Sequence, residues 1–364
     1  MNPDHSCLEE ELPLRDELFS AQQMEQYGMQ LAIEHRLGSN RGSDRLLQRL
    51  ADNQALINAT CALLGDAVKA GRQVTPAAEW LLDNIYLIDE QIRIAKRHLP
   101  KNYSKALPRL DNEGQKDQPR VYDIALQTIA HGDGRIDPDI LSRFVSAYQH
   151  LATLKIGELW AIPIMLRLAL IENLRRIAAR LAQTRQHRNL AHDWADAILE
   201  VAQKNPAELI LIVADMARSK PQLQSSFVAE LVRRLQAKGA ALSLPLTWLS
   251  QRLAESGYSI DQLIQHESQQ QAADQVSISN SIGSLRFLGQ MDWRDFVETM
   301  SKVDRTLRDD PAGAYARMDF ATRDRYRHAV EKIARSTGRD ESDVAAAAID
   351  SAGNACQALG AEDR

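Results

Sequence analysis

Apolar positions recur at steps of three and four residues almost throughout the chain, the spacing that gathers side chains on one face of an α-helix. They are densest in IGELWAIPIMLRLALIENLRRIAARLA, residues 156 to 182, where Leu159, Ile162, Leu166, Leu170, Leu174, Ile177 and Leu181 form one stripe. Between Leu159 and Ile171 only Arg167 is charged, so the other faces are apolar as well. A helix apolar all round is normally enclosed by others. The pattern therefore predicts a central helix over 156–182.

Strand-type alternation is nearly absent, and the reading is all-α: a multi-helix array of packed antiparallel hairpins around that central helix. Before it, helices are expected at 20–35, up to about 69, 76–98, 120–131 and 138–152. The central helix ends near 184 at a polar joint, TRQHRN. Shorter helices follow at 190–203, 206–218, 222–238, 244–255, 259–271, 276–290, 292–308, 320–336 and 340–350. Ser20 with Gln23 fits a capping box, and Thr75 before Pro76 fits a cap with proline at the first helical position. Residues 99–119 make the longest irregular connection, long enough for a lid or a docking segment, and read first as a plain crossover. No repeat of fixed period is found. The division that follows is a disordered N-terminus at 1–12, a helical domain at 13–185, a second helical array at 186–350 packed on the first, and a polar tail at 351–364.

Composition narrows the function without naming it. Hydrophobic residues at 44% and charged residues at 26% are ordinary for a globular protein. A net charge of -5 lacks the basic footprint of a general nucleic-acid binder. Aromatics at 5% disfavour a glycan groove floored by rings. Cys7, Cys61 and Cys356, odd in number and scattered, fit a reducing compartment and share no metal-ligand spacing. The longest apolar run, about 13 residues, falls short of the roughly 20 that span a bilayer. With no signal-peptide pattern at the start, the expected location is cytoplasmic.

Three stretches invite chemistry. In HGDGRIDPD, residues 131 to 139, the acids are loosely like a calcium loop, but Arg135 and Pro138 occupy positions that need a ligand and a glycine. Asp137 and Asp139 also spell DxD, yet Asp137 before Pro138 reads as a helix cap. Over 76–98, Glu79, Asp83, Tyr86 and Glu90 step along one face, and carboxylates so spaced could serve as the acid and base of a glycosidase. The alternative is a solvated face or pairing with arginines such as Arg175, Arg176 and Arg180. In YARMDFATRDRYRHAV, Arg317, Arg323, Arg325, Arg327 and His328 crowd with Asp319 and Asp324, and read as an anion grip or as an internal ion-pair network. The five tryptophans read as core. No Gly-rich phosphate loop, nucleophile elbow or zinc helix appears, so no catalytic residue, metal or cofactor is assigned.

Arg167 carries the sharpest expectation. Its guanidinium cannot shed its proton, so burial calls for a partner. A carboxylate of the third helix, Glu79 or Asp83, is expected there, with Arg176 lying on the helix's polar side.

TPAAEWLLDNIYLIDEQI, IGELWAIPIMLRLALIENLRRIA, VSISNSIGSLRFL with MDWRDF, and DPAGAYARMDFATRDRYRHAVEKIAR together resemble the N-terminal region of the cyclic β-1,2-glucan synthases, in order over roughly residues 12 to 350. That resemblance implies very large inner-membrane enzymes that polymerise glucose from UDP-glucose, in which this helical region precedes the membrane helices and the transferase core. No QxxRW motif and no strand-borne DxD is present here. The resemblance thus implies a helical accessory or scaffolding region, peripheral to the inner membrane through its partner, the transferase core or other synthase domains. A stand-alone helical glycoside hydrolase using the acids of 76–98, and a helical peptide-binding module, are the competing expectations.

Overall fold

The computed structural model describes residues 12–38, 45–99, 103–236 and 242–362. It is all-α, with 79% of residues helical. The first helices are α1 (Ala21–Glu34), α2 (Leu46–Lys69), α3 (Pro76–Asp83), α4 (Ile85–His98), α5 (Arg120–His131), α6 (Pro138–Leu151) and α7 (Ile156–Lys204). Then come α8 (Leu209–Ser219), α9 (Ser225–Gln236), α10 (Ser243–Glu255), α11 (Ile260–Leu288), α12 (Trp293–Met300) and α13 (Lys302–Arg308). The chain closes with α14 (Ala314–Arg317), α15 (Phe320–Thr337) and α16 (Glu341–Glu362). A two-residue antiparallel ladder joins β1 (Leu37–Gly38) to β2 (Arg109–Leu110), which tethers the 99–119 connection.

The start signals act as read. Ser20 and Gln23 form the capping box of α1, Thr75 caps α3 ahead of Pro76, and the Asp137 side chain accepts from the backbone of Asp139 and Ile140 to start α6. The stops differ more. The expected joint at residues 184 to 189 is absent, and α7 continues to Lys204: TRQHRN holds neither glycine nor proline, and Arg185 and Arg188 find partners off the helix, at the Gln73 carbonyl and Glu267. The boundary expected between 185 and 186 falls inside this helix. The polar run near 272 does not break α11 either, because Ser277 and Ser281 accept from Asn173 in a buried contact.

Conversely, the single helix expected at 76–98 is two, since Asn84 turns its amide onto the Trp80 carbonyl and competes with the helical ladder. The helix expected at 292–308 breaks at Ser301, which ends α12 and caps α13 by accepting from Asp304. The polar tail expected from 351 is instead the continuation of α16, carried by its alanine-rich sequence. The expected disorder at 1–12 lies almost wholly outside the described residues.

Contacts divide the chain into two compact units, each assembled from separate stretches. One holds Leu50–Glu90 and Ile171–Ile282; the other holds Leu14–Arg49, Gln91–Leu170 and Gly283–Arg364. In the first, Ala191, Ala195 and Ile198 of α7 pack with Phe227, Val228 and Leu231 of α9 and Leu249 of α10. In the second, α1 lies so close to α6 that a Cβ added at Gly28 would stand 2.8 Å from the Phe144 carbonyl oxygen. A further core there joins Ile156 to Val303, Leu307, Tyr315, Val330 and Ala345. All seven residues of the predicted stripe, Leu159 through Leu181, are buried.

Candidate functional site

The arginine-rich segment is organised by α15, which starts at Asp319: the side chain accepts from the Thr322 backbone N–H at 2.8 Å. Arg323 and Arg327, four apart, share the inner face of this helix. Arg327 is 0% exposed, and its Nη1 donates to Glu298 Oε1 at 2.8 Å and to Asp304 Oδ1 at 2.7 Å. The guanidinium also lies 4.9 Å from the centre of the Phe320 ring. Arg323 grips Glu298 with both ends of its fork, at 3.0 and 2.8 Å. Arg308 Nε and the Tyr315 hydroxyl complete the shell of Asp304, at 2.6 and 2.8 Å.

Burial alone would push the carboxyls of Asp304 and Glu298 up. Hydrogen bonds from Arg308, Tyr315 and Arg327 hold Asp304 below the usual carboxylate range, and those from Arg323 and Arg327 do so for Glu298. Burial likewise opposes the charge on Arg327, yet bonds to Glu298 and Asp304 raise its pKa above that of an ordinary arginine. Arg317 and Arg325 stay at the surface, Arg317 donating to the Ala312 carbonyl. Of the expected residues, then, Asp319 is a cap, Arg323 an internal ion-pair partner, and Arg317 and Arg325 surface groups. Arg327 is the hub of the network. Three arginines face three acids, Glu298, Asp304 and Asp324.

The acids of the third helix are not gathered into a site. Glu79 and Asp83 are exposed on α3, and the break at Asn84 puts Tyr86 and Glu90 on a different helix. Tyr86 is 85% exposed, and Trp80, expected in the core, is exposed as well.

Arg167 is buried as anticipated, but its partner is not a carboxylate: Nε donates to the amide oxygen of Gln91 at 2.8 Å. Glu79 and Asp83 point to solvent instead. Desolvation lowers the pKa of Arg167 accordingly. A different arginine holds the buried charge pair. Arg120, at the start of α5, reaches Glu158 Oε1 and Oε2 at 2.6 and 2.7 Å and the Thr153 carbonyl at 2.7 Å. Glu158 is 0% exposed and also accepts from the Lys155 backbone N–H at 2.9 Å. Beside this pair lies a cavity of about 310 Å³, lined by Thr153, Lys155, Ser301, Lys302 and Glu341. Its polar groups are engaged: Lys302 Nζ donates to Thr153 Oγ1 at 2.8 Å, and Glu341 accepts from the Ile156 N–H at 2.9 Å.

The other unit repeats the theme. Glu172, 0% exposed, accepts from Asn53, Arg175 and Arg176, so Arg176 does not stand on a free polar side. Glu158 and Glu172 escaped sequence reasoning, although the signal that marked Arg167, a charge at the edge of the apolar stripe, marks both equally.

The architecture defines the class as an all-α protein, in which buried Arg120, Arg327, Glu158 and Glu172 each meet an opposite charge. No family model matches the chain. It is 34% identical, over 283 residues, to the cyclic beta-(1,2)-glucan synthase NdvB of Rhizobium meliloti (strain 1021). The match covers 78% of the chain and 10% of that protein, so the chain is homologous to one segment of this synthase. Among the described residues no helix is long and apolar enough to cross a membrane.

Proposed function

We propose that this chain serves cyclic β-1,2-glucan synthesis as a helical accessory region, packing against the transferase core or other domains of a synthase and doing no chemistry of its own. The observation that supports this is the extent of the match: most of the chain aligns with a tenth of a synthase. The charge networks point the same way, because Arg323 and Arg327 spend their donor forks on Glu298 and Asp304, and Arg120 spends its fork on Glu158. Groups so committed hold helices in register.

The test uses two purified components: this chain, and a relative's synthase from which the matching segment has been deleted. Alone, the chain should leave UDP-glucose and β-1,2-glucan unchanged. Added to the deleted synthase, it should bind and restore glucan formation. Glucosyl transfer by the chain alone, or full activity of the deleted synthase with no binding of the chain, would overturn the reading.

A further inference from the structure

The cavity of about 310 Å³ beside the Arg120–Glu158 pair lies wholly within the unit that holds Leu14–Arg49, Gln91–Leu170 and Gly283–Arg364. It reaches the surface, because Leu37, Lys155 and Asp340 of its lining are exposed. Roughly 150 Å³ of apolar space is enough to hold a benzene ring, so this cavity has room for a small organic molecule and not only for water. Leu37, Leu154, Ile156 and Val303 supply apolar wall with a few polar groups among them, the usual make-up of a small-molecule pocket.

Two opposite charges line this cavity without meeting each other. Glu341 is 7% exposed, and its Oε2 accepts from the Ile156 N–H at 2.9 Å. Among the described residues no hydrogen bond reaches its Oε1 and no cation pairs with it, whereas every other buried carboxylate lies against an arginine or a histidine. Burial raises the Glu341 carboxyl, with Glu331 and Asp340 adding to the rise, and the Ile156 N–H and Lys155 offset this only in part. Lys302 is half-buried in the same lining. Its Nζ donates to Thr153 Oγ1 at 2.8 Å, which uses one of three N–H groups, and it has no carboxylate partner among the described residues. Arg120 adds no free charge, because Glu158 holds it. At the mouth Lys155 and Asp340 bring one charge of each sign, Asp340 also accepting from the Ser342 N–H at 2.8 Å.

We infer that this cavity binds a free α-amino acid with an aliphatic side chain, its ammonium on Glu341, its carboxylate on Lys302 and its side chain against Leu37, Leu154 and Val303. A zwitterion answers both charges at once. A simple cation would leave Lys302 unmet and a simple anion would leave Glu341 unmet, each beside a like charge in a site shielded from water. Charge-assisted hydrogen bonds at the two ends fix the ligand's orientation, and the apolar wall takes the side chain out of water.

The experiment titrates the full chain with leucine, with leucinamide, which keeps only the ammonium, and with isocaproate, which keeps only the carboxylate, by calorimetry and thermal unfolding. Leucine should bind and raise the melting temperature, since a ligand bound only to the folded state stabilises it. Each half-ligand should bind at least about tenfold more weakly, the loss of one charge-assisted contact. Glu341→Gln should weaken leucine and leucinamide by about tenfold or more and leave isocaproate no weaker. Lys302→Met should weaken leucine and isocaproate and leave leucinamide no weaker. That crossed pattern is one a general loss of structure does not produce. Should either variant fail to fold, the comparison of the three ligands on wild type decides. No binding of leucine, equal binding of leucine and either half-ligand, or equal weakening of all three ligands in a folded variant overturns the site.

Discussion

Arg120 and Arg167 are both buried, yet replacing each by methionine should have very different results. Arg120→Met leaves Glu158, 0% exposed, with its charge unpaired, a loss that typically costs about 3 to 5 kcal/mol. For a unit of this size that is a fall of roughly 6 to 20 °C in melting temperature. Arg167→Met leaves only the neutral oxygen of Gln91 unmet, which costs about 1 to 3 kcal/mol, and returns several kcal/mol spent on desolvating the guanidinium. Its melting temperature should stay within about 4 °C of wild type or rise. Thermal unfolding, with amide exchange read on α5 and the first turns of α7, separates the two. The double replacement Arg120→Met with Glu158→Leu should recover most of the Arg120→Met loss. Equal losses for Arg120→Met and Arg167→Met would refute the reasoning, because they would mean that Arg167 also answers to a buried negative charge.

Gly28→Ala should destabilise, because the new Cβ meets the Phe144 carbonyl oxygen at 2.8 Å, whereas Gly65→Ala, with nothing within 4 Å, should gain about 1 kcal/mol of helix propensity; denaturant midpoints check both. Burial raises the Glu341 carboxyl, against the bond from the Ile156 N–H, so its contribution to stability is present below the unfolded pKa and lost as pH rises through the folded one. Glu341→Gln should therefore melt above wild type at pH 7 and level with it near pH 4, in a melting series across that range. Asp304 and Glu298 run the other way: their depressed pKa values give stability above the ordinary carboxylate range that is lost in acid, and Arg327→Met should flatten that acid limb.

The fold was legible where one local rule decided the outcome. Caps at Ser20, Thr75 and Asp137 depend on a few adjacent residues, and the central stripe on spacing alone. Helix ends inside polar runs were not legible. Whether TRQHRN stops a helix depends on Gln73 and Glu267, which lie far off in the sequence, and whether the serines of α11 stop it depends on Asn173. At the candidate site, the crowding of charge in residues 315 to 330 was visible, but not which arginine lay inside. Arg327 differs from Arg325 only by its phase on α15 relative to Glu298 and Asp304, two acids contributed by α12 and α13.

The interleaving of the two units in the sequence bears on how the chain is made. Every stretch of the unit built on Ile171–Ile282 has been synthesised once residue 282 is added, whereas the other must wait for Gly283–Arg364. At translation rates of about 5 to 20 residues per second, those roughly 80 residues take about 4 to 16 s. Through that interval α1, α5, α6 and the start of α7 exist without α13, α15 and α16, and Ile156 has yet to meet Val303 or Ala345. The earlier-finished unit is the natural nucleus of folding on the ribosome, and the apolar start of α7 is the surface a chaperone would find open.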